Sequence, residues 1–236
     1  MSKGKLYLIP TVISDNTQQQ VITEQVKGVL PSIKHFAAEN VRTARRYLSS
    51  LKVYPAIEDL NFEVLDKDTR PEDLLQILKP LVEGLDMGIL SESGCPGVAD
   101  PGALAVAFAH QQNIQVVPLV GPSALLLALM ASGLNGQKFA FHGYLPVDPH
   151  ACSQAIRLLE KESKQRGQTQ IIIETPYRNN HIKQLLIQTL QPATRLSIAI
   201  DLTGEQERIS TRRVSDWKGV EGDLPKYPAV FSFLAM

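Results

Sequence analysis

The amino-acid sequence predicts an α/β protein of two domains, and three observations support that prediction. Short apolar runs alternate with longer amphipathic segments through the first half of the chain, which is typical of a parallel sheet flanked by helices. After Pro118 several strand-like runs follow one another, which indicates an antiparallel component. The length of 236 residues is enough for two domains that share a cleft. We therefore expect an N-terminal domain, residues 1–118, with a mostly parallel sheet and flanking helices, and a C-terminal domain, residues 119–236, with a mixed sheet and helices.

The N-terminal elements follow from the spacing of the apolar residues. Strands are predicted at residues 6–9, 33–37, 62–65, 87–90 and 115–118. Helices are predicted at residues 18–30, 42–51, 71–83 and 103–112. Pro71 and Pro101 lie close to two of the helix starts, where a missing backbone N–H costs little.

The C-terminal elements begin after a glycine and proline cluster at residues 120–123. Helices are predicted at residues 124–130, 152–166 and 179–190. Strands are predicted at residues 139–143, 169–174, 196–202, 206–214 and 229–235.

The composition excludes several classes of protein. Lys and Arg total 24 and Asp and Glu total 24, so no strong field attracts polyanions to the whole molecule, although a local basic patch can coexist with zero net charge. Cys95 and Cys152 lack metal-ligand spacing and the five histidines are scattered, so no metal site is predicted. The longest apolar run, residues 124–131, is too short to cross a membrane and no export signal is recognised. We expect a cytoplasmic protein with no membrane partner.

Residues 88–102 carry the most chemical information in the chain. A short apolar run leads into a loop rich in glycine and proline, and a predicted helix follows at once. Open α/β sheets bind ligands at the carboxyl ends of their strands, and glycines such as Gly94 and Gly97 let a ligand approach the backbone. Judged alone, this loop is equally consistent with a tight turn.

Seven segments together resemble the tetrapyrrole methylase superfamily. Within it, the chain is most similar to the ribosomal RNA small subunit methyltransferase I branch, which methylates a cytidine 2′-hydroxyl. The segments occur in the family's order and are residues 6–10, 38–42, 91–102, 120–124, 131–134, 141–146 and 174–178.

The resemblance implies a homodimer that holds S-adenosylmethionine in the cleft between its domains and releases S-adenosylhomocysteine. It also implies a structured RNA of the small ribosomal subunit as the partner. The positions that match the family's cofactor contacts are Pro10, Ser91, Glu92, Ser93, Gly94, Pro96, Val98, Pro122, Ser123, Ala124, His142, Tyr144, Leu145, Glu174, Thr175, Leu202 and Thr203.

Glu39 and Arg42 are the candidate catalytic residues. Methyl transfer requires the acceptor oxygen to be aligned and its proton to be accepted. Glu39 matches the start of the family's Glu-Asp-Thr-Arg motif, and Arg42, which is suited to holding a phosphate, matches its end; Arg45 and Arg46 extend the basic face. The alternative is that Glu39 caps the helix and the arginines form a solvated face. Glu174 is a second carboxylate, whose alternative role is to tie down the next loop by a hydrogen bond.

Several positions depart from the family pattern. Residues 39–42 read Glu-Asn-Val-Arg, residues 200–204 read Ile-Asp-Leu-Thr-Gly in place of Arg-Glu-Leu-Thr-Lys, and the loop after Pro10 lacks a glycine. Glu92 replaces the usual aspartate and Cys95 the common threonine. Two other functions therefore stay open: the same fold methylating a tetrapyrrole, another small molecule or a protein side chain, or a catalytically degraded paralogue that binds cofactor or RNA.

Two groups of cations outside these motifs are further candidates for contact with RNA phosphates, although most such groups are solvated surface. They are Lys161, Lys164 and Arg166, and Arg208, Arg212 and Arg213.

Overall fold

The computed structural model describes residues 3–220 and 222–236, which divide into two compact units. The first unit ends at Ser123 and the second begins at Ala124. The division thus falls at the end of the glycine and proline cluster, shortly after the boundary expected at Pro118.

The N-terminal unit is built on a five-stranded parallel sheet, counted over its described residues, with strand order β3-β2-β4-β1-β5. The strands are β1 (Lys5–Ile9), β2 (His35–Ala38), β3 (Asn61–Val64), β4 (Met87–Leu90) and β5 (Gln115–Pro118). The helices are α1 (Gln18–Val21), α2 (Glu24–Val29), α3 (Val41–Leu51), α4 (Leu74–Ile77), α5 (Lys79–Val82) and α6 (Gly102–Gln111).

The central strand β4 is buried along its whole length, because both of its neighbours pair with it and both sheet faces are covered. Gly88 fits there because a Cβ at this position would lie 2.4 Å from a methyl of Ile9. Leu6 and Ile89 pack in one apolar cluster and Ile9 and Leu90 in another, as expected of a parallel sheet with a core on each face.

Two predicted helices of this unit are broken. The helix predicted at residues 18–30 ends at Val21 and restarts at Glu24, because Ile22 is extended and the Thr23 hydroxyl caps the second helix by accepting from the Val26 N–H. The helix predicted at residues 71–83 is interrupted at Leu78, just before the helical turn that contains Pro80.

The C-terminal unit contains a mixed sheet with strand order β6-β7-β10-β8-β9 across its described residues. The strands are β6 (Phe139–Phe141), β7 (Thr169–Glu174), β8 (Arg195–Ile200), β9 (Arg208–Arg213) and β10 (Ala229–Leu234). The helices are α7 (Ala124–Ser132), α8 (Pro149–Arg166), α9 (Asn179–Thr189) and α10 (Val214–Trp217). The short helix α10 lies next to the segment predicted as a strand at residues 206–214, and it seats Trp217 in the apolar core.

Strand β10 lies between β7 and β8 and is antiparallel to both, so β7 and β8 run in the same direction. Strand β6 is parallel to β7. The carboxyl ends of β6, β7 and β8 therefore lie at one edge of this sheet. The predicted α/β fold, with a parallel sheet followed by a mixed sheet, is confirmed.

No helix among residues 3–220 and 222–236 combines the length and apolar character that a membrane span requires.

Candidate functional site

The carboxyl edge of the N-terminal sheet gathers the first group of predicted site residues. Pro10 directly follows β1, Glu39 follows β2, and Ser91 follows β4. Strands β2 and β4 are paired in the register that sets Ala38 opposite Leu90, so Glu39 and Ser91 leave the sheet side by side. This is the edge at which parallel α/β sheets bind ligands.

The loop at residues 91–101 is joined to the loop after β1 through one carbonyl group. The Gly94 oxygen accepts the Thr11 N–H at 2.9 Å and the Ser91 hydroxyl at 2.9 Å. The Thr11 and Ser91 hydroxyl oxygens lie 3.4 Å apart, and Thr11 is the donor because Ser91 uses its proton on Gly94. Gly94 has φ +74°, a conformation that favours glycine. The Ser91 side chain is thus committed to shaping the loop.

The segment at residues 119–123 closes against the same two loops. A Cβ at Gly121 would lie 2.1 Å from Pro10 Cβ, so only glycine permits this approach. Cys95 Sγ lies 3.3 Å from the Pro122 oxygen, to which the thiol donates. Burial, aided by the charge of Asp100, raises the pKa of Cys95 and keeps the thiol protonated as a donor. The replacement of the family's threonine by cysteine therefore retains a side chain able to donate at this position.

Two residues that the sequence analysis did not assign to the site support it from behind. The buried Tyr47 hydroxyl on α3 donates to the Pro10 oxygen at 2.7 Å. Asp100 Oδ1 accepts the N–H groups of Gly97 and Gly102, at 2.6 and 2.9 Å, and so joins the loop to the first residue of α6. Burial raises the pKa of Asp100, opposed by these two hydrogen bonds. The Asp-Pro-Gly sequence before a predicted helix was the available signal for the Asp100 role.

Glu39 and Glu92 form a pair of interacting carboxylates at this edge. Burial raises the pKa of Glu92, the charge of Glu39 raises it further, and a hydrogen bond from Thr43 lowers it. Both glutamates are solvent-exposed side chains on loops that follow adjacent strands. The site therefore holds two carboxylates on adjacent loops, groups of the kind that can accept a proton.

Glu39 is not the cap of α3. Asn40 caps this helix, because its Oδ1 accepts the N–H groups of Arg42 and Thr43 at 3.0 and 3.2 Å. The alternative role considered for Glu39 is therefore wrong, and its carboxylate is not used at the helix start. The asparagine that replaces the family's aspartate serves as the cap instead.

The three arginines of α3 differ in their surroundings. Arg45 lies over the Phe62 ring, with 5.1 Å from its Cζ to the ring centroid. All three arginines are exposed, and Arg42 and Arg46 have no such ring contact among the described residues. Arg42, in the first turn of the helix and three residues after Glu39, is suited to binding a phosphate near the carboxylates.

The predicted cofactor residues of these three segments differ in exposure. The exposed ones are Glu92, Ser93 and Val98, the partly buried one is Ser123, and the buried ones are Pro10, Ser91, Gly94, Pro96 and Pro122.

The carboxyl edge of the C-terminal sheet gathers the second group. His142 directly follows β6, Glu174 ends β7, and Leu202 and Thr203 come shortly after β8. Ala124 is the first residue of α7 and is partly buried. The residues that end or follow β6, β7 and β8 lie at one edge because these three strands share a direction.

Glu174 is held by an ion pair with Arg178. Arg178 Nη1 lies 3.3 Å from Glu174 Oε2, and the two side chains are 23% and 1% exposed. Glu174 Oε1 accepts the Thr175 N–H at 2.7 Å and the Thr175 hydroxyl at 3.2 Å. Arg178 also donates to the oxygens of Leu145 and Pro146, at 3.5 and 3.1 Å. Glu174 thus ties down its own loop, as the alternative to proton transfer proposed, and Arg178 links that loop to the one after β6.

The residues after β6 are arranged by backbone and side-chain bonds. His142 Nε2 lies 2.6 Å from the oxygen of the buried Gln170 side chain, which assigns the ring proton to Nε2. Leu145 is buried in the apolar core of this unit, whereas Tyr144 is 59% exposed. Of the predicted contacts here, Tyr144 offers its side chain and Leu145 only its backbone.

The turn after β8 contains a buried polar atom that lacks a partner. Thr203 Oγ1 is inaccessible to solvent and has no hydrogen-bond partner within residues 3–220 and 222–236. Its backbone has φ +69°, and its N–H donates to Glu207 Oε2 at 2.8 Å. Buried hydroxyls are nearly always hydrogen-bonded, so this atom is a candidate contact for a ligand.

No group of three or more metal-binding side chains is found among the described residues.

Known proteins similar to this chain include one relative by sequence and two solved structures. A Vibrio cholerae protein named ribosomal RNA small subunit methyltransferase I is 30% identical over 204 residues, which are 86% of this chain and 67% of that protein. The crystal structure of the methyltransferase CobJ has a TM-score of 0.62 at 14% identity and covers 100% of both chains. That of uroporphyrin-III C-methyltransferase from Thermus thermophilus, complexed with S-adenosylhomocysteine, has a TM-score of 0.58 at 16% identity, covering 98% of this chain and 97% of that one. No model of a protein family matches the chain.

The chain has the α/β fold of these two solved methyltransferases. The identity and coverage shared with the Vibrio cholerae protein show further that the chain belongs to the ribosomal RNA small subunit methyltransferase I family. The resemblance found in the seven sequence segments is thereby confirmed.

Proposed function

We propose that this chain transfers a methyl group from S-adenosylmethionine to a 2′-hydroxyl of small-subunit ribosomal RNA. The observation that carries the proposal is the placement of two exposed carboxylates, Glu39 after β2 and Glu92 in the loop after the adjacent β4, at the carboxyl edge where the exposed Arg42 lies in the first turn of α3. Membership of a family whose members bear the name ribosomal RNA small subunit methyltransferase I supports the acceptor.

The residues present fit the cofactor that the proposal requires. Thr203 Oγ1 is buried without a partner and is suited to a hydrogen bond with the cofactor. Gly94 and Gly121 let the loops at this edge pack closely, because a Cβ would lie 3.2 Å from the Pro122 oxygen at the first position and 2.1 Å from Pro10 Cβ at the second. The other residues proposed to hold it are those that match the family's cofactor positions. S-adenosylmethionine supplies the methyl group on a positively charged sulfur.

The chain's own residues then have separable roles. Glu39 accepts the proton of the attacking hydroxyl, while Arg42 holds a neighbouring phosphate and so aligns the acceptor. The Glu174–Arg178 ion pair keeps two loops of the C-terminal unit in place. The exposed Arg42 and Arg46 favour a polyanionic acceptor over an uncharged small molecule.

The proposal is tested with labelled S-adenosylmethionine and three acceptors: total RNA, small ribosomal particles and cell extract. We expect label in RNA, loss of most transfer in Glu39→Gln and Arg42→Ala, and little change in the exposed controls Glu63→Gln and Arg70→Ala. Absence of S-adenosylmethionine binding by titration calorimetry would refute the central claim.

Alkaline digestion of the labelled RNA identifies the acceptor atom. A methylated 2′-oxygen cannot attack its phosphodiester, so the label stays in an alkali-resistant dinucleotide. Label released in single nucleotides would place the methyl group on a base and refute the 2′-hydroxyl.

We also propose that the chain forms a homodimer and acts in the cytoplasm. Support for the dimer comes from α7, which is apolar throughout and leaves Leu126 and Met130 51% and 78% exposed. Light scattering should give the unaltered chain the mass of two chains. The double variant Leu126→Glu/Met130→Glu should have the mass of a single chain. A monomeric mass for the unaltered chain would contradict the dimer.

A further inference from the structure

A cavity of about 590 Å³ lies in the C-terminal unit beside helix α8. Its lining combines exposed cations of α8 with the segment before β8 and the residues after β10. The lining residues are Arg157, Glu160, Lys161, Lys164, Thr189, Gln191, Pro192, Ala193, Thr194, Ala235 and Met236. We call this cavity the α8 groove.

The α8 groove lies at the edge of the sheet opposite to the candidate site. Gln191 and Thr194 precede β8, whereas Thr203 follows it. Ala235 follows β10, which is antiparallel to β8, so it lies at the same edge as Thr194. A six-residue strand separates the two edges by roughly 20 Å. The α8 groove is therefore separate from the residues proposed to bind the cofactor.

The cations of the α8 groove are free to bind an anion. Arg157, Lys161 and Lys164 are all exposed, and none of them forms an ion pair within the part of the chain that the structure describes. The acidic residue of the lining, Glu160, is buried. Its Oε1 accepts the Gln191 N–H at 2.8 Å and also the hydroxyl of Thr194.

The spacing of the cations suits a nucleic-acid strand. They lie at positions i, i+4 and i+7 of α8, so they form one stripe about 10 Å long. Over that length a strand of duplex geometry presents about three phosphates. The chain as a whole has no net charge, so the positive field at this stripe is local.

We propose that the α8 groove binds phosphates of the ribosomal RNA at a distance from the methylated nucleotide. This inference rests on the proposed function for the identity of the RNA. The groove contributes affinity through charge, whereas the carboxyl edge selects the acceptor atom.

The test neutralises the stripe in the full chain with Arg157→Gln/Lys161→Gln/Lys164→Gln, the groove variant. Binding to small-subunit ribosomal RNA is measured by fluorescence anisotropy between 50 and 200 mM salt. Each phosphate contact with a duplex contributes about 0.9 to the steepness with which log K falls with log salt, so the loss of three contacts makes this fall less steep by about 2.7. We therefore expect this rise in salt to weaken the unaltered chain about 40-fold more than the groove variant.

A matched variant, Lys67→Gln/Arg70→Gln/Lys79→Gln, removes the same charge from exposed positions of the N-terminal unit. It should keep the slope of the unaltered chain. The proposal would be overturned if the groove variant and the unaltered chain had equal slopes of log K against log salt. It would also be overturned if the matched variant showed the same change in slope as the groove variant. Circular dichroism and thermal melting establish that both variants fold.

Methylation kinetics separate this proposal from the proposed function. If the groove binds the RNA, the groove variant has a raised KM and an unchanged kcat. Methylation with an unchanged KM would overturn the groove and leave the proposed function intact. The opposite result is also distinguishable. If the unaltered chain binds RNA through the groove with the expected salt dependence but methylates nothing, the proposed function is refuted and RNA binding by the groove is supported. Equal affinity for polyglutamate would overturn RNA as the partner.

Discussion

Removal of Arg178 should destabilise the C-terminal unit more than removal of any exposed arginine. In Arg178→Met the carboxylate of Glu174 stays buried and loses the cation 3.3 Å from its Oε2. The oxygens of Leu145 and Pro146 lose a donor as well. The two hydrogen bonds from Thr175 to Glu174 Oε1 remain, so they still offset part of the cost of burying the carboxylate charge.

The magnitude follows from the burial of the two partners. Breaking a fully buried ion pair by removing one partner costs about 3–5 kcal/mol. Arg178 is 23% exposed, so water partly replaces it and we expect about 2–4 kcal/mol. For a chain of this length, that corresponds to a fall in Tm of roughly 5–15 °C.

Calorimetric melting of four variants measures the effect. Glu174→Gln and the double variant Arg178→Met/Glu174→Gln complete a double-mutant cycle, and Arg166→Met is the exposed control. The double variant should be more stable than Arg178→Met alone, with a coupling energy of at least about 1 kcal/mol, because no uncompensated charge is left. Two results would refute this reasoning. One is that the changes in unfolding free energy of the two single variants add up to that of the double variant; the other is a Tm for Arg178→Met within about 2 °C of that of the unaltered chain, which corresponds to less than about 1 kcal/mol at this chain length.

Three other changes test the N-terminal loops. Asn40→Ala should lower the free energy of unfolding by about 1 kcal/mol through loss of the α3 cap, and Asn40→Asp should not; equal denaturant midpoints for all three chains would contradict this. Gly121→Ala should cost about 1–3 kcal/mol and weaken S-adenosylmethionine binding in calorimetry, because its Cβ would lie 2.1 Å from Pro10 Cβ; an unchanged affinity and Tm would refute the close packing. Glu39→Gln should lower the pKa of Glu92 toward its ordinary value, followed by NMR titration. The raised pKa lets Glu92 keep its proton to higher pH in the folded protein than in the unfolded chain. The stability that this bound proton contributes is therefore lost as pH rises through the folded pKa. In Glu39→Gln this loss of stability should be smaller.

Strand positions were predicted well because they depend on short-range patterns. The apolar run of β4 and the β-branched run of β7 both lie where the sequence places them. The breaks near Ile22 and Leu78 were not predicted, since each apolar spacing continues across its break. A side-chain cap at Thr23 and a proline at position 80 determine where these helices stop, and such local bonds outweigh periodicity.

The site was predicted at the level of segments rather than of bonds. The order of strands and loops was enough to bring Glu39 and Ser91 to one edge and Glu174 and Thr203 to another. The partner of Glu174 was not foreseen, because Arg178 reaches it across a turn rather than along a regular element. Lys161 and Lys164 were recognised as candidate phosphate contacts, but Arg157 was missed, although its spacing on a predicted helix was the available signal.

Two departures from the family pattern after β8, aspartate at position 201 and glycine at position 204, depend on each other. A Cβ at Gly204 would lie 2.2 Å from Asp201 Oδ1, so a side chain at position 204 and the observed position of the Asp201 carboxylate are incompatible. With glycine there, the Gly204 N–H donates to the backbone carbonyl oxygen of Asp201 at 2.8 Å. Asp201 Oδ2 of the side chain accepts the Gln206 N–H at 2.9 Å. The loss of the family's lysine thus permits the shorter acidic residue to organise the turn. Thr203, which both sequences share, lies inside that turn with its hydroxyl buried. The substitutions therefore change how the turn is held while retaining the residue proposed to contact the cofactor.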